Sequence, residues 1–418
     1  MLNVFKFPDL RRKIFFTFLI IVMFRLFAHI PVPGVNVDAI RGFLQNNAFF
    51  GLFDLFSGGG FQNFSIVTLG MAPYINVSII MQLLTVMIPS LEELSKEGEY
   101  GREKINMYTR LLTVPMALLQ SYGIYFLLNR QGVLASLNVF DLVIFILTLT
   151  AGALMLVWLG ELVTEYGIGN GISVLIFVSI IGRLPTAALS FFATLNADTV
   201  FNSLIFIALA LVVIAAVVIV NEGTRNITIE YGRRGIRSEK IVNYLPIKVN
   251  QVSVVPIIFA VAIVMLPAMI SGPLQTTSNE VAKNIGFYLA KNFQESSALY
   301  NVFYFLLVVG FTFFYTSVQF NSDKIAEDIK KRGGFVPGIR PGTATATYLR
   351  RIVNRITSSG ALFLGTIAIL PFLIQSFVGT ASLTVGGTGL LIVVSVVLET
   401  IRQIESHSVS RSYESFLR

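Results

Sequence analysis

The chain has 418 residues, of which 54% are hydrophobic and 13% charged, with a formal net charge of +8. A soluble domain carries about 25% charged residues, so too few ions are present to cover a water-exposed surface, and a mean hydropathy of +0.74 agrees. Disordered chains, coiled coils and soluble nucleic-acid-binding domains are excluded, which leaves an integral membrane protein.

A membrane-crossing helix needs about 20 apolar residues. Ten segments meet this, near 14–33, 71–89, 109–129, 142–160, 172–190, 201–220, 254–272, 300–320, 357–377 and 385–402. Ile205 to Val220 is continuously apolar, whereas a barrel strand would alternate, so the spans are predicted to be helices. The first begins after Arg11-Arg12-Lys13, as a signal peptide does, but no small-residue cleavage site follows. Arg25, His29, Pro31 and Pro33 continue it, and it reads as a retained span. Next, residues 48–66 read AFFGLFDLFSGGGFQNFSI, an apolar stretch too short to span and broken by Gly58, Gly59 and Gly60. Backbone of this kind at membrane depth must be buried in protein or line a cavity. The segment is either an interfacial loop or a re-entrant piece filling a cavity.

Two connections stand out. The one after the sixth span, about 221–253, carries Arg233, Arg234, Arg237 and Lys240, and its Ile227, Thr228, Ile229 and Tyr231 predict a projecting hairpin. The one after the eighth, about 322–356, carries Lys330, Lys331 and Arg332, then two Pro-Gly pairs bracketing Arg340. Proline fixes φ and glycine permits tight turns, so this tip should be ordered. Of 31 lysines and arginines, 25 fall on one side of the predicted membrane, and that bias places both termini in the cytoplasm. The bias accounts for the charge, together with lipid phosphates. It does not account for two long, turn-rich basic projections, so docking of an anionic partner such as RNA or an acidic protein face is favoured.

The chemistry missing from the spans is equally informative. No Asp, Glu, Lys or Arg occurs in 71–89, 201–220, 254–272, 300–320, 357–377 or 385–398. An ion-coupled transporter needs an ionisable group near the midplane. Arg25 is the single candidate, and its plainer role is to reach toward the far headgroups. Cysteine is absent and the two histidines, His29 and His407, are far apart in sequence. Disulfides, thiolate catalysis and zinc sites are therefore not expected. Without H-E-x-x-H or a nucleophile with an oriented base, an enzyme is not expected. Gly386-Gly387-Thr388-Gly389 lacks the ending of a phosphate loop, and Gly167-Ile168-Gly169-Asn170-Gly171 follows a helix, unlike a dinucleotide fingerprint. No cofactor is expected, and energy must come from a partner or a gradient.

Five stretches resemble the SecY family, the channel-forming subunits of the bacterial protein-conducting translocon. They are FSGGGFQNFSIVTLGMAPYINVSIIMQLL (56–84), WLGELVTEYGIGNGISVLIF (158–177), LPIKVNQVSVVPIIFA (245–260), FVPGIRPGTAT (335–345) and VGGTGLLIVVSVVLE (385–399). The resemblance implies an all-α polytopic membrane protein of ten transmembrane helices. Two inverted five-helix halves, 1–190 and 191–418, would form a clamshell around an hourglass pore. Five spans per half, an odd number, force opposite topologies on related halves.

The resemblance also implies residue roles. A pore ring would comprise Met71, Ile75, Ile172, Ile176, Ile258 and Ile392, with Met71 departing from the isoleucine of some relatives. Such a constriction excludes water and ions by dewetting, and aliphatic chains carry no charge to trap a passing peptide. The glycine-broken segment would supply a plug helix, including Phe53, Leu55, Phe56, Ser57, Gly58, Gly59, Gly60, Phe61 and Phe64. Gln82 and Asn250 are similar to polar residues of a lateral gate, worth about 1 kcal/mol as a pair. Arg340 matches the arginine that engages the ribosome, including its RNA, and the motor ATPase SecA. Implied partners are SecE, SecG, SecA, the ribosome, signal sequences and anionic lipids. The implied location is the bacterial cytoplasmic membrane. A secondary transporter of a small solute shares ten spans and broken helices. The absent midplane carboxylates and the large basic projections favour the polypeptide channel.

Overall fold

The computed structural model describes residues 8–33, 57, 59–130, 132–134, 137–182, 200–231, 242–252, 254–275, 277, 279–293, 297–378 and 387–416, and isolated residues 35, 37, 40, 42, 185 and 189. The protein is mostly helical and packs as two compact units, Met1–Leu195 with Val396–Arg418, and Asn196–Ser395.

The first unit holds α1 (Pro8–Phe27), α2 (Ala72–Met87), α3 (Pro89–Lys96), α4 (Glu99–Arg130), α5 (Val139–Tyr166) and α6 (Gly171–Ile181). The α2 and α3 helices meet at 99°. The cause is local: a residue before proline is driven out of the helical region, and Ile88, before Pro89, is extended at φ −106°, ψ 113°. Beyond the bend, α3 reads PSLEELSK and buries none of its residues. The α4 and α5 helices pack together, joined by the Arg110 Nε to Glu161 Oε1 pair at 2.6 Å. Around them lies a core of Val32, Phe61, Phe64, Leu128, Phe145 and Leu149, among others. Every α6 residue from Val174 to Ile180 except Phe177 is buried, as an all-round apolar helix requires.

The second unit holds α7 (Val200–Glu222), β1 (Thr224–Tyr231), β2 (Val242–Lys248), α8 (Val255–Gln275), α9 (Glu280–Asn292), α10 (Ala298–Gln319), α11 (Ser322–Lys331), β3 (Gly334–Phe335) and α12 (Thr343–Val378). The last helix, α13 (Gly387–Phe416), runs through the division between the units. The predicted hairpin is present: β1 pairs antiparallel with β2, from Thr224 opposite Lys248 to Glu230 opposite Val242. Along β1, Ile227 and Ile229 are buried and alternate with Thr228 and Glu230, the period of two that a half-buried strand requires. A third strand was not anticipated. Glu230 and Tyr231 of β1 pair with Phe335 and Gly334, giving the order β2-β1-β3. The two basic connections thus form one module with a shared core of Ile227, Ile247, Ala326, Val336, Leu349 and Val353.

Each of the ten apolar segments contains described helical residues, the fifth as far as Ile181. Among the described residues, five helices are long and apolar enough to cross a membrane, or six if α2 and α3 form one bent span. The α1 and α13 helices and the short α6 and α8 apolar stretches are not among them.

Candidate functional site

Met71 and Ile75 sit at the start of α2, one turn apart, and both are buried. Ile172 and Ile176 occupy the first two turns of α6, the former partly buried and the latter fully. Residues four apart share a helix face, so each pair presents one aliphatic strip. The glycine-rich stretch before α6 explains how that helix is placed. Asn170 Oδ1 accepts from the Ile172 and Ser173 amides at 3.1 and 3.2 Å, satisfying donors that a helix start leaves open. Thr164 Oγ1 accepts from the Gly171 amide at 2.9 Å. A Cβ on Gly171 would lie 1.8 Å from the Gly160 carbonyl oxygen, so only glycine lets α6 turn back against α5. In the second unit, Ile258 on α8 is partly buried and Ile392 on α13 is buried.

Of the plug residues, Phe53, Leu55, Phe56 and Gly58 lie outside the described residues. From Gly59 to Phe64 the chain forms turns, not the helix expected. These turns are buried: Phe61 and Phe64 are 1% and 0% exposed, and Phe64 stacks on Phe145 of α5 at 5.8 Å between ring centroids. Ser57 Oγ accepts from the Phe61 amide at 3.0 Å. The segment is also tied to the chain after α1. Val32 N donates to Phe64 O at 2.8 Å, and Ile66 N donates to Ile30 O at 3.0 Å. This described end is therefore part of the protein core. Sequence reading missed the tie because its partners are more than 30 residues apart.

The two expected gate residues each have a described hydrogen-bond partner. Gln82 Nε2 donates to Ser78 Oγ, one turn back on α2, at 3.2 Å. Asn250 is buried, and its Nδ2 donates to Asn221 Oδ1 at 2.7 Å. Asn221 Nδ2 in turn donates to Ser395 Oγ at 3.0 Å. The chain Asn250–Asn221–Ser395 links the ends of α7 and of the hairpin to α13, one turn from Ile392. Asn221 and Ser395 escaped sequence reading. The available signal was a lone polar side chain in or just after an apolar run.

In the hairpin module, Arg233, Arg234, Arg237 and Lys240 lie outside the described residues. Lys330, Lys331 and Arg332 close α11 and are exposed, where cations suit the negative end of a helix. Lys331 Nζ is 3.0 Å from Glu327 Oε1. The start of α11 is capped by Asn321 Oδ1, accepting from Lys324 N at 3.0 Å. Asp323 in its first turn pairs with Arg350 of α12 at 2.7 Å. Arg340 is exposed between two turns. Ile339 N donates to Val336 O at 3.0 Å across Pro337-Gly338, and Gly338 has φ 80°, the type II geometry that needs glycine third. Thr345 Oγ1 donates to the Arg340 carbonyl at 2.9 Å. The ordered tip predicted from the two Pro-Gly pairs is thus present, with the Arg340 backbone held and its guanidinium in solvent.

Arg25, expected to reach toward the headgroups, has a partner on α6. Its Nη2 donates to the Val178 carbonyl of α6 at 2.7 Å.

The family model described as SecY matches residues 65–401. The protein translocase subunit SecY of Corynebacterium glutamicum is 43% identical, over 100% of this chain and 99% of that protein. The Thermotoga maritima subunit of the same name is 42% identical, over 100% and 97%. A solved structure described as "The structure of a protein conducting channel" shares the fold at TM-score 0.65 and 20% identity. It covers 96% of this chain and 93% of its own. A second, described by the plug domain of the SecY protein and its membrane seal, matches at the same score and coverage. The chain belongs to the SecY family.

Proposed function

We propose that this chain is the protein-conducting channel of a bacterial cytoplasmic membrane. It passes unfolded secretory polypeptides outward and releases hydrophobic segments sideways into lipid. The observation that carries the reading is the SecY match at 43% identity over the whole chain. The chain is a translocase subunit, not an enzyme. A partner, the motor ATPase SecA or the ribosome, supplies the drive. Related channels of the same fold, such as one described as canine Sec61 in a ribosome-channel complex, support the ribosome as partner.

In this reading the ten apolar segments are ten spans in two inverted halves, 1–190 and 191–418, with both termini cytoplasmic. Met71, Ile75, Ile172, Ile176, Ile258 and Ile392 form the waist. Their shared aliphatic character supports this: a ring without charge sheds water and closes around any side chain. The segment about 48–66 plugs the outer funnel when idle. Gln82 and Asn250 border a lateral gate, and a departing signal sequence gains about 0.8 kcal/mol per methylene moved into lipid. SecE clamps the back of the halves and SecG joins at the periphery. Lys330, Lys331, Arg332 and Arg340, with Arg233, Arg234, Arg237 and Lys240, form the docking face for SecA, ribosomal RNA and anionic lipid.

The test is reconstitution. Proteoliposomes holding the chain with SecE and SecG should import an unfolded preprotein only when SecA and ATP are added. Uptake of a small solute without SecA, and no preprotein import, would overturn the proposal.

A further inference from the structure

A guanidinium in an apolar helix is costly unless it is bonded, and by default it marks function. Arg25 lies in the last turn of α1, where its charge also suits the negative end of that helix. It also meets a second such end, that of α6. The α6 helix stops at Ile181 with Gly182 as its cap, and Val178 O there accepts both the Gly182 amide at 3.0 Å and Arg25 Nη2 at 2.7 Å. The last turn of a helix exposes carbonyls at its negative end, and Arg25 brings a second, charged donor to one that the cap amide already bonds. Gly182 makes the space: a Cβ there would fall 0.9 Å from Arg25 Nη2.

The same face of α1 holds the other end of α6. Thr17 Oγ1, about two turns before Arg25, accepts from the Ile168 amide at 3.1 Å while donating to Lys13 O at 2.9 Å. Polar links from one helix therefore grip α6 before its first turn and at its last. Between these links lie Ile172 and Ile176.

We propose that Arg25 is a positioning residue of the channel. From α1 it caps the carboxyl end of α6 and so holds Ile172 and Ile176 at the depth where the pore closes. The second half of this statement rests on the ring reading above; the first half, the brace, does not. Arg25 touches no substrate in this role and acts through α6. The reason to use an arginine is reach and permanence. Its planar fork spans from one helix to another and stays charged at any accessible pH, so the brace does not loosen with conditions.

The experiment measures amide hydrogen exchange of the chain in lipid nanodiscs, with ion conductance of the same variants in planar bilayers. Arg25→Met should raise exchange across 171–182 about tenfold, the scale of losing a hydrogen bond to a charged group, while α5 stays protected as an internal check on folding. Arg25→Lys, which keeps a donor, should restore part of that protection. Gly182→Ala keeps the charge but fills its socket, so it should loosen 171–182 as Arg25→Met does and serves where the methionine variant does not insert. The variants that lose the brace should also leak ions when idle. Exchange across 171–182 within twofold of the parent in Arg25→Met or, if that fails to insert, in Gly182→Ala overturns the proposal whatever the conductance. Raised exchange with no leak upholds the brace and counts against the ring.

Discussion

The α2 and α6 strips and the hairpin module solve opposite problems with the same tools. At Met71, Ile75, Ile172 and Ile176 charge is excluded, and order comes from backbone proximity: Gly171 against Gly160, and Asn170 and Thr164 on the first amides of α6. In the module charge is concentrated outside, and order comes from a small core under it, centred on Leu349 and Val353. On the proposed reading, the comparison teaches that a passive channel separates its two requirements. Recognition of highly charged partners needs fixed cations in water, whereas a seal needs a surface that neither water nor ions wet. Mixing them in one place would defeat both.

Substitutions can break this contrast. The largest effect is expected at the proposed seal. Replacing both Ile75 and Ile176 with glycine, in a chain whose plug has been deleted, should turn a silent bilayer into a conducting one. Unchanged conductance would remove the two residues from the ring. Next is the module's core. Leu349 is fully buried, and Leu349→Ala should cost about 2–5 kcal/mol, read as protease cleavage of the hairpin and of the 332–342 tip together. Cleavage of one alone would show that β3 does not unite them. Third is the docking charge. Arg340→Glu should lower SecA-driven transport about tenfold, equivalent to about 1.4 kcal/mol of binding, with insertion of the chain itself unaffected, as membrane fractionation would report. Smallest is the α6 cap. Asn170→Ala should cost about 1 kcal/mol, measured as a modest rise in exchange at the Ile172 and Ser173 amides alone.

Legibility followed the range of the forces involved. The hairpin was readable because strand alternation is local, and Ile227, Thr228 and Ile229 announce it within three residues. The ordered tip around Arg340 was readable because proline and glycine act on their own dihedrals. The bend at Ile88 was equally local, though Pro89 was passed over within an apolar run. What escaped were pairings across distance: Phe64 with Val32, Glu230 with Phe335, Asn250 with Asn221, and Arg25 with Val178. Composition does not say which of many compatible partners a polar group meets. The site residues carried over from the family could not have been picked from sequence pattern, since isolated isoleucines in an apolar helix look alike.

By itself, the amino-acid order determined the class of solvent, the helical form of the spans and the turn chemistry of the basic tip, because each depends on a residue and its near neighbours. Only the tertiary structure decided that two basic connections make one module, that the turns after Gly59 are core, and that a charge in α1 ends up on α6. Those outcomes depend on which backbone groups remain unsatisfied once the helices pack, a quantity that no stretch of sequence contains.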